Sequence, residues 1–153
     1  MRIWQIGIVI QITVLLLPSI SVAGATVTAE LPSPQVVAIT SSSYNPGEIS
    51  RNTLRAIFLM RYAKWEDGMP VKVYVFADAE SGHETFSKEV LKIFPRQLRQ
   101  AWDRQVFSGL GQYPEQVSSA KEMLAKVKAT PGSVGYISIQ EVNKDVRILQ
   151  IHP

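Results

Sequence analysis

The segment Val71-Lys72-Val73-Tyr74-Val75-Phe76 constrains this chain more than any other. It is nearly all apolar and rich in β-branched and aromatic residues, which suits a strand. A strand with no polar face has to be covered on both sides, so it belongs in the interior of a sheet. A polar turn follows, and then Ser81-Gly82-His83-Glu84 opens a helix. A helix start placed just after a strand aims unpaired backbone N–H groups and a partial positive charge at one point. Such a point suits a small anion.

The rest of the chain supplies the neighbours this strand needs. Gln35 to Ile39 reads as a short buried strand, and Ser41 to Gly47 as a loop. Ser50 caps a helix with Ile49 as a staple residue; Leu54, Ile57 and Phe58 form its apolar face. Trp65 to Pro70 is a turn around Asp67-Gly68. The spacing predicts a helix over 81–94 with Phe86, Val90 and Phe94 on one face. Pro95 starts another helix, using Leu98, Ala101, Trp102 and Val106. Ser108-Gly109-Leu110-Gly111 breaks it, and a fourth helix is predicted from Pro114 or Glu115 to Ala129 with Val117, Ala120, Leu124 and Val127 inward. Two closing strands are expected at Val134 to Ser138 and Val146 to Ile151. Strands alternating with helices make the class α/β, with a sheet covered by helices.

The first residues read differently. A positive start, Met1-Arg2, precedes an apolar stretch from Ile3 to Leu17, a Pro18 break and small residues around Ala23 and Ala25. This is the pattern of a secretory leader. An uncleaved membrane anchor is the alternative, since the stretch approaches the ~20 residues that span a bilayer. Gln5, Gln11, Thr13 and Pro18 weaken it as a span. The expected organisation is a signal peptide over 1–25, a linker over 26–34 and one domain over 35–153. The chain has no cysteine, so disulfides and thiolate metal sites are excluded. The setting expected for an exported chain of this kind is the bacterial periplasm. A net charge of +3, with bases scattered among acids, argues against nucleic acid as a partner.

Chemistry concentrates at Ser81, Gly82, His83 and Glu84. One reading is a capping box, with Ser81 as N-cap and Glu84 reaching back. The other is a ligand site in which the Ser81 hydroxyl and the N–H groups of Gly82, His83 and Glu84 converge on an anion. His83 reads as a solvated histidine that donates to an anion when charged. One histidine without matching acids makes no metal site, and no cofactor is expected. Ser108 to Gly111 follows a helix and lacks the lysine of a P-loop. Arg51 and Arg55 share a helix face that reads as solvated surface, and Trp65 and Trp102 read as core or its edge. No nucleophile–base pair or carboxylate pair is visible, so no enzyme is expected.

Several stretches taken in order resemble a known family. They are Ile49-Ser50-Arg51 through Leu54-Arg55-Ala56-Ile57-Phe58-Leu59, Trp65 with Gly68, Ser81-Gly82 with Phe86, Leu98 with Trp102, Phe107 to Gly111, and Pro131-Gly132-Ser133-Val134-Gly135-Tyr136-Ile137. Together they resemble the phosphate-binding, type II periplasmic substrate-binding proteins of phosphate ABC transporters. The resemblance implies a single compact α/β domain, a mixed sheet covered by helices, equivalent to one lobe of a two-lobed protein. It also implies phosphate or a similar small oxyanion as ligand. The chain departs from the pattern in three ways: no arginine stands near Phe76, His83 replaces a threonine, and Asp78 and Glu80 make the turn acidic. Weak binding follows as the expectation. The alternative is a ligand-free module that keeps the fold and meets a protein partner in the envelope.

Overall fold

The computed structural model describes residues 35–153. The expected signal peptide and linker lie outside the described residues. Within them no helix is long and apolar enough to cross a membrane.

The strands are β1 (Val36–Ser41), β2 (Ile49–Ser50), β3 (Lys72–Phe76), β4 (Glu115–Val117), β5 (Ser133–Ser138), β6 (Val146–Ile148) and β7 (Ile151–His152). The α-helices are α1 (Arg51–Phe58), α2 (Ser81–Thr85), α3 (Pro95–Phe107) and α4 (Ala120–Ala129). A π-helical turn, Phe86–Val90, continues α2, and a short 3₁₀ turn, Ile139–Glu141, follows β5. Five strands form one mixed sheet in the order β4-β3-β5-β1-β6. The strand β3 runs parallel to both its neighbours, β4 and β5. The strand β1 runs antiparallel to β5 and β6. A separate parallel pair joins β2 to β7.

The apolar run thus occupies the interior position its composition demands. Its side chains alternate between two cores, as strand geometry requires. Val73 and Val75 join Leu54, Phe58, Phe86, Leu98 and Trp102 on one face. Tyr74 joins Val117, Met123 and Val127 on the other, under α4. At Gly135 the helix α4 comes so close to β5 that a Cβ would lie 2.5 Å from Met123 Sδ.

Several local expectations hold. Ser50 caps α1 through its side chain, accepting from the Thr53 N–H at 2.9 Å. Leu54, Ile57 and Phe58 are buried. Pro95 occupies the first turn of α3. Trp65 and Trp102 are core residues whose indole N–H groups donate to Gly132 O at 2.8 Å and to Phe58 O at 2.7 Å.

Three differ. Glu115–Val117 is a strand, paired parallel to β3, and α4 begins only at Ala120. Pairing beside an interior strand outweighs the helical spacing of Val117 and Ala120. Met123, between the predicted contacts, is fully buried, whereas Leu124 is half-buried. Ile49 is buried but enters the β2–β7 pair. The third difference is the end of the second helix. The wide turn at Phe86–Val90 closes with Leu91 N–H donating to Phe86 O at 3.1 Å, a π-type bond. The extra residue per turn puts Phe86 and Leu91 in the core and leaves Phe94 63% exposed. Lys92, at φ 55°, then ends the helical path in the left-handed region.

Candidate functional site at the carboxyl end of β3

The turn after β3 places Asp78 and Glu80 just ahead of α2. Glu80, not Ser81, is the N-cap, and its side chain caps nothing. Ser81 is therefore the first helical residue. Glu84 does not reach back; it pairs with Lys88 one turn on, which holds its carboxyl below the usual range. The predicted capping box is absent, and no carboxylate of α2 plugs the start of the helix.

The amides divide unequally. The N–H groups of His83 and Glu84 both donate to Glu80 O, at 3.0 and 3.2 Å. They are not free to converge on a ligand, contrary to the expectation. Among the described residues, the Ser81 and Gly82 N–H groups have no protein acceptor. Ser81 is exposed and Gly82 half-buried. The neighbouring helix start differs. The cap of α4, Ser119, accepts from Glu122 N–H, and the Glu122 carboxylate accepts from Ser118 N–H and O–H at 2.8 and 2.7 Å. One helix start at this end of the sheet is closed by its own acid and the other is open.

His83 is not solvated. Its side chain is 1% exposed, set between Tyr136 and Trp102 at ring separations of 6.0 and 6.1 Å. The first turn of α2 lies on the sheet, and residue 83 is its inward position. Its Nδ1 is 2.6 Å from the Tyr136 hydroxyl. That hydroxyl oxygen accepts from Phe76 N–H at 2.9 Å, and Nδ1 is the one acceptor within reach of its own proton among the described residues, so we assign the hydroxyl as donor to Nδ1. The neutral imidazole then carries its hydrogen on Nε2. Nε2 is buried without a hydrogen-bond partner. Asp78 Oδ1 faces it at 4.0 Å, too far for a bond. Burial lowers the His83 pKa below 6.5, opposed by Asp78 and assisted by Arg99.

Residues that the sequence did not single out complete the cluster. Arg99 of α3 makes a two-point contact with Asp78, at 2.8 and 2.7 Å. That contact holds the Asp78 carboxyl below its ordinary value and the guanidinium above its own. Arg99 also lies over the rings of Trp102 and Tyr113, at 5.1 and 5.7 Å. Tyr136 is fixed by a parallel stack on Phe86, 4.1 Å between centroids, and burial pushes its phenol pKa up. Arg55, considered above as solvated surface, donates to Leu91 O at 3.0 Å.

Two of the concavities among the described residues are lined by acids. One of about 510 Å³ flanks the turn on the β4 side, where Glu80 and Glu122 make it unsuited to an anion. Another, of about 390 Å³, is lined by Tyr44, Tyr62 and Trp65 with Glu48, Glu66 and Asp67. It sits at the opposite end of the sheet, because β1 runs against β5 and leads into Tyr44. Among the described residues no cluster of histidines and acids could hold a metal.

Solved structures share this architecture. A chain assigned as a phosphate ABC transporter substrate-binding protein from Clostridium perfringens, with bound phosphate, superposes with a TM-score of 0.61 at 14% identity over 76% of this chain and 44% of that one. PstS from Borrelia burgdorferi gives 0.58 at 20% identity, covering 77% and 48%. An ABC-type phosphate transport receptor from Vibrio cholerae gives 0.53 at 18%, covering 76% and 45%. The fold resembles one lobe of these binding proteins. The chain spans less than half the length of each. No family model matches the sequence, and no curated protein does. At these identities the likeness shows the fold alone.

Proposed function

We propose that the chain is an exported, binding-protein-like module that takes phosphate or a similar oxyanion weakly at the start of α2. The observation that carries this reading is the open helix start: Ser81 and Gly82 present N–H groups that no group among the described residues accepts. The site residues are Ser81 and Gly82 through their amides, the Ser81 hydroxyl, and His83 as the ionisable neighbour. Glu84 borders the site but is turned toward Lys88. The position, outside the carboxyl end of an interior strand, is where open α/β sheets collect ligands. A single lobe leaves the ligand in water, so affinity on the order of millimolar, about −4 kcal/mol, is expected.

Ser81→Pro tests this directly. Proline is favoured at the first helical position, and Glu80 before it is already extended at φ −76°, ψ 131°. The variant should fold, and it loses both the hydroxyl and one N–H. Calorimetric titration with phosphate and with sulfate should show millimolar binding to the wild-type protein and none to Ser81→Pro. Equal binding by both proteins would reject the site, and none by either would reject the oxyanion reading.

A second reading is a ligand-free module that meets an envelope protein. Phe107 and Leu110, 84% and 80% exposed at the end of α3, favour it. Under this reading phosphate leaves the melting temperature unchanged, and Phe107→Ser with Leu110→Ser abolishes co-purification from envelope extracts.

A further inference from the structure

Asp78, His83 and Arg99 converge from three places: the turn after β3, the first turn of α2 and the middle of α3. The Asp78–Arg99 pair is a neutral unit, but it does not exhaust the guanidinium. Nε and one Nη2 hydrogen go to Asp78, which leaves the Nη1 hydrogens and the second Nη2 hydrogen free of protein acceptors among the described residues. The side chain is 40% exposed and lies over the rings of Trp102 and Tyr113. A guanidinium positioned by a carboxylate and two rings has already lost its rotamer freedom. Such a group binds a planar or tetrahedral oxyanion at little further entropic cost.

His83 sits behind this pair. Its Nδ1 accepts from the Tyr136 hydroxyl, and its Nε2 is a buried donor with no acceptor among the described residues, turned toward Asp78. The charged and titratable groups packed around the ring are Asp78 from the β3 turn, Arg99 from α3 and Tyr136 from β5. With His83 neutral the cluster of Asp78, His83 and Arg99 carries no net charge. With His83 protonated it carries +1, and Nε2 competes with Arg99 for the Asp78 carboxylate.

We propose that Arg99 is the cationic anchor of the anion site, and that protonation of His83, at the Nδ1 that accepts from Tyr136 in the neutral ring, gives the neutral cluster of Asp78, His83 and Arg99 a net positive charge that takes the oxyanion. The proposal rests on the oxyanion reading above and adds to it the guanidinium and a dependence on pH.

Sulfate is the probe, because its charge does not change between about pH 5 and about pH 8, well above the range in which it titrates. The wild-type protein should bind sulfate about tenfold more tightly at the lower pH, which corresponds to about 1.4 kcal/mol. Arg99→Gln should lose binding at both pH values. His83→Gln should bind with no pH dependence. Asp78→Asn removes the neutralising charge, so at the higher pH it should bind at least as tightly as the wild-type protein does at the lower. That gain cannot come from a damaged fold. Wild-type affinity for sulfate that is the same at both pH values overturns the role of His83. Unchanged binding by Arg99→Gln, with binding still abolished by Ser81→Pro, overturns the anchor while leaving the oxyanion reading in place. If the wild-type protein binds neither sulfate nor phosphate at either pH, both fail.

Discussion

The Tyr136 hydroxyl is the single atom on which the interior polar cluster depends, and Tyr136→Phe isolates it. The ring stays, with its stack on Phe86 at 4.1 Å and its edge contact with Phe76 at 5.4 Å. Only the oxygen is lost, and with it the acceptor for Phe76 N–H and the donor to His83 Nδ1. Leaving a buried polar group unsatisfied costs about 1–3 kcal/mol. Two groups are orphaned, each at the lower end of that range because the ring packing is kept and can relax around the lost oxygen, so a loss of about 2–4 kcal/mol is expected. For a domain of this size that corresponds to a fall in melting temperature of roughly 8–20 °C. Urea titration followed by tryptophan fluorescence measures it. Tyr113→Phe is the control, because its hydroxyl bonds Asp103 at an exposed position. If Tyr136→Phe unfolds at the same urea concentration as the Tyr113 control, the hydrogen-bond assignment around His83 is wrong.

Other outcomes follow from the same geometry. Gly132, at φ +79°, would place a Cβ 2.8 Å from Pro70 O and 2.6 Å from Met69 Cγ. Gly132→Ala should therefore cost about 2–4 kcal/mol from left-handed strain and crowding together, measured by thermal melting. His83 has a folded pKa below its ordinary 6.5. The unfolded chain then takes up the proton first, so stability should fall as pH drops from about 6.5 and level off below the folded value. His83→Gln should remove that slope in denaturant titrations across the range. Asp78, held low by Arg99, contributes stability that is lost only in more acid solution, below its ordinary 3.8. Glu84→Gln removes an exposed pair with Lys88. Its melting temperature should match the wild type, and its affinity for phosphate should be equal or higher, since an acid beside the site is gone.

The legible parts of the fold are those whose signal is local. The nearly continuous apolar run predicted an interior β3. The Ser50 cap and the 54/57/58 spacing predicted α1, and Pro95 with Leu98, Ala101 and Trp102 predicted α3. Glu115 to Val117 misled because three residues carry no alternation, while Val117 and Ala120 mimic a helical repeat. The burial of Leu91 in place of Phe94 was hidden because a spacing argument assumes a constant pitch. At the candidate site, the turn and the helix start were visible but their chemistry was not. Whether Ser81 caps depends on where the helix begins, which moves by one residue. The burial of His83 depends on Tyr136, 53 positions away. The Asp78–Arg99 contact spans 21 positions and two elements. An acidic turn with an unassigned arginine in the following helix was the one available hint.

The wide turn at Phe86–Val90 also acts as a ruler. Deleting Glu89 would restore ordinary pitch there and rotate everything after it by roughly 100° about the helix axis. Leu91 would swing out of the core, Phe94 would be driven toward it, and α3 would have to start from a different place. The guanidinium ten residues farther along would then no longer reach Asp78. The surplus residue that looks like a local irregularity meters the distance between an acid and a base on two different helices' approaches, so their meeting is decided by helix pitch rather than by the charges themselves.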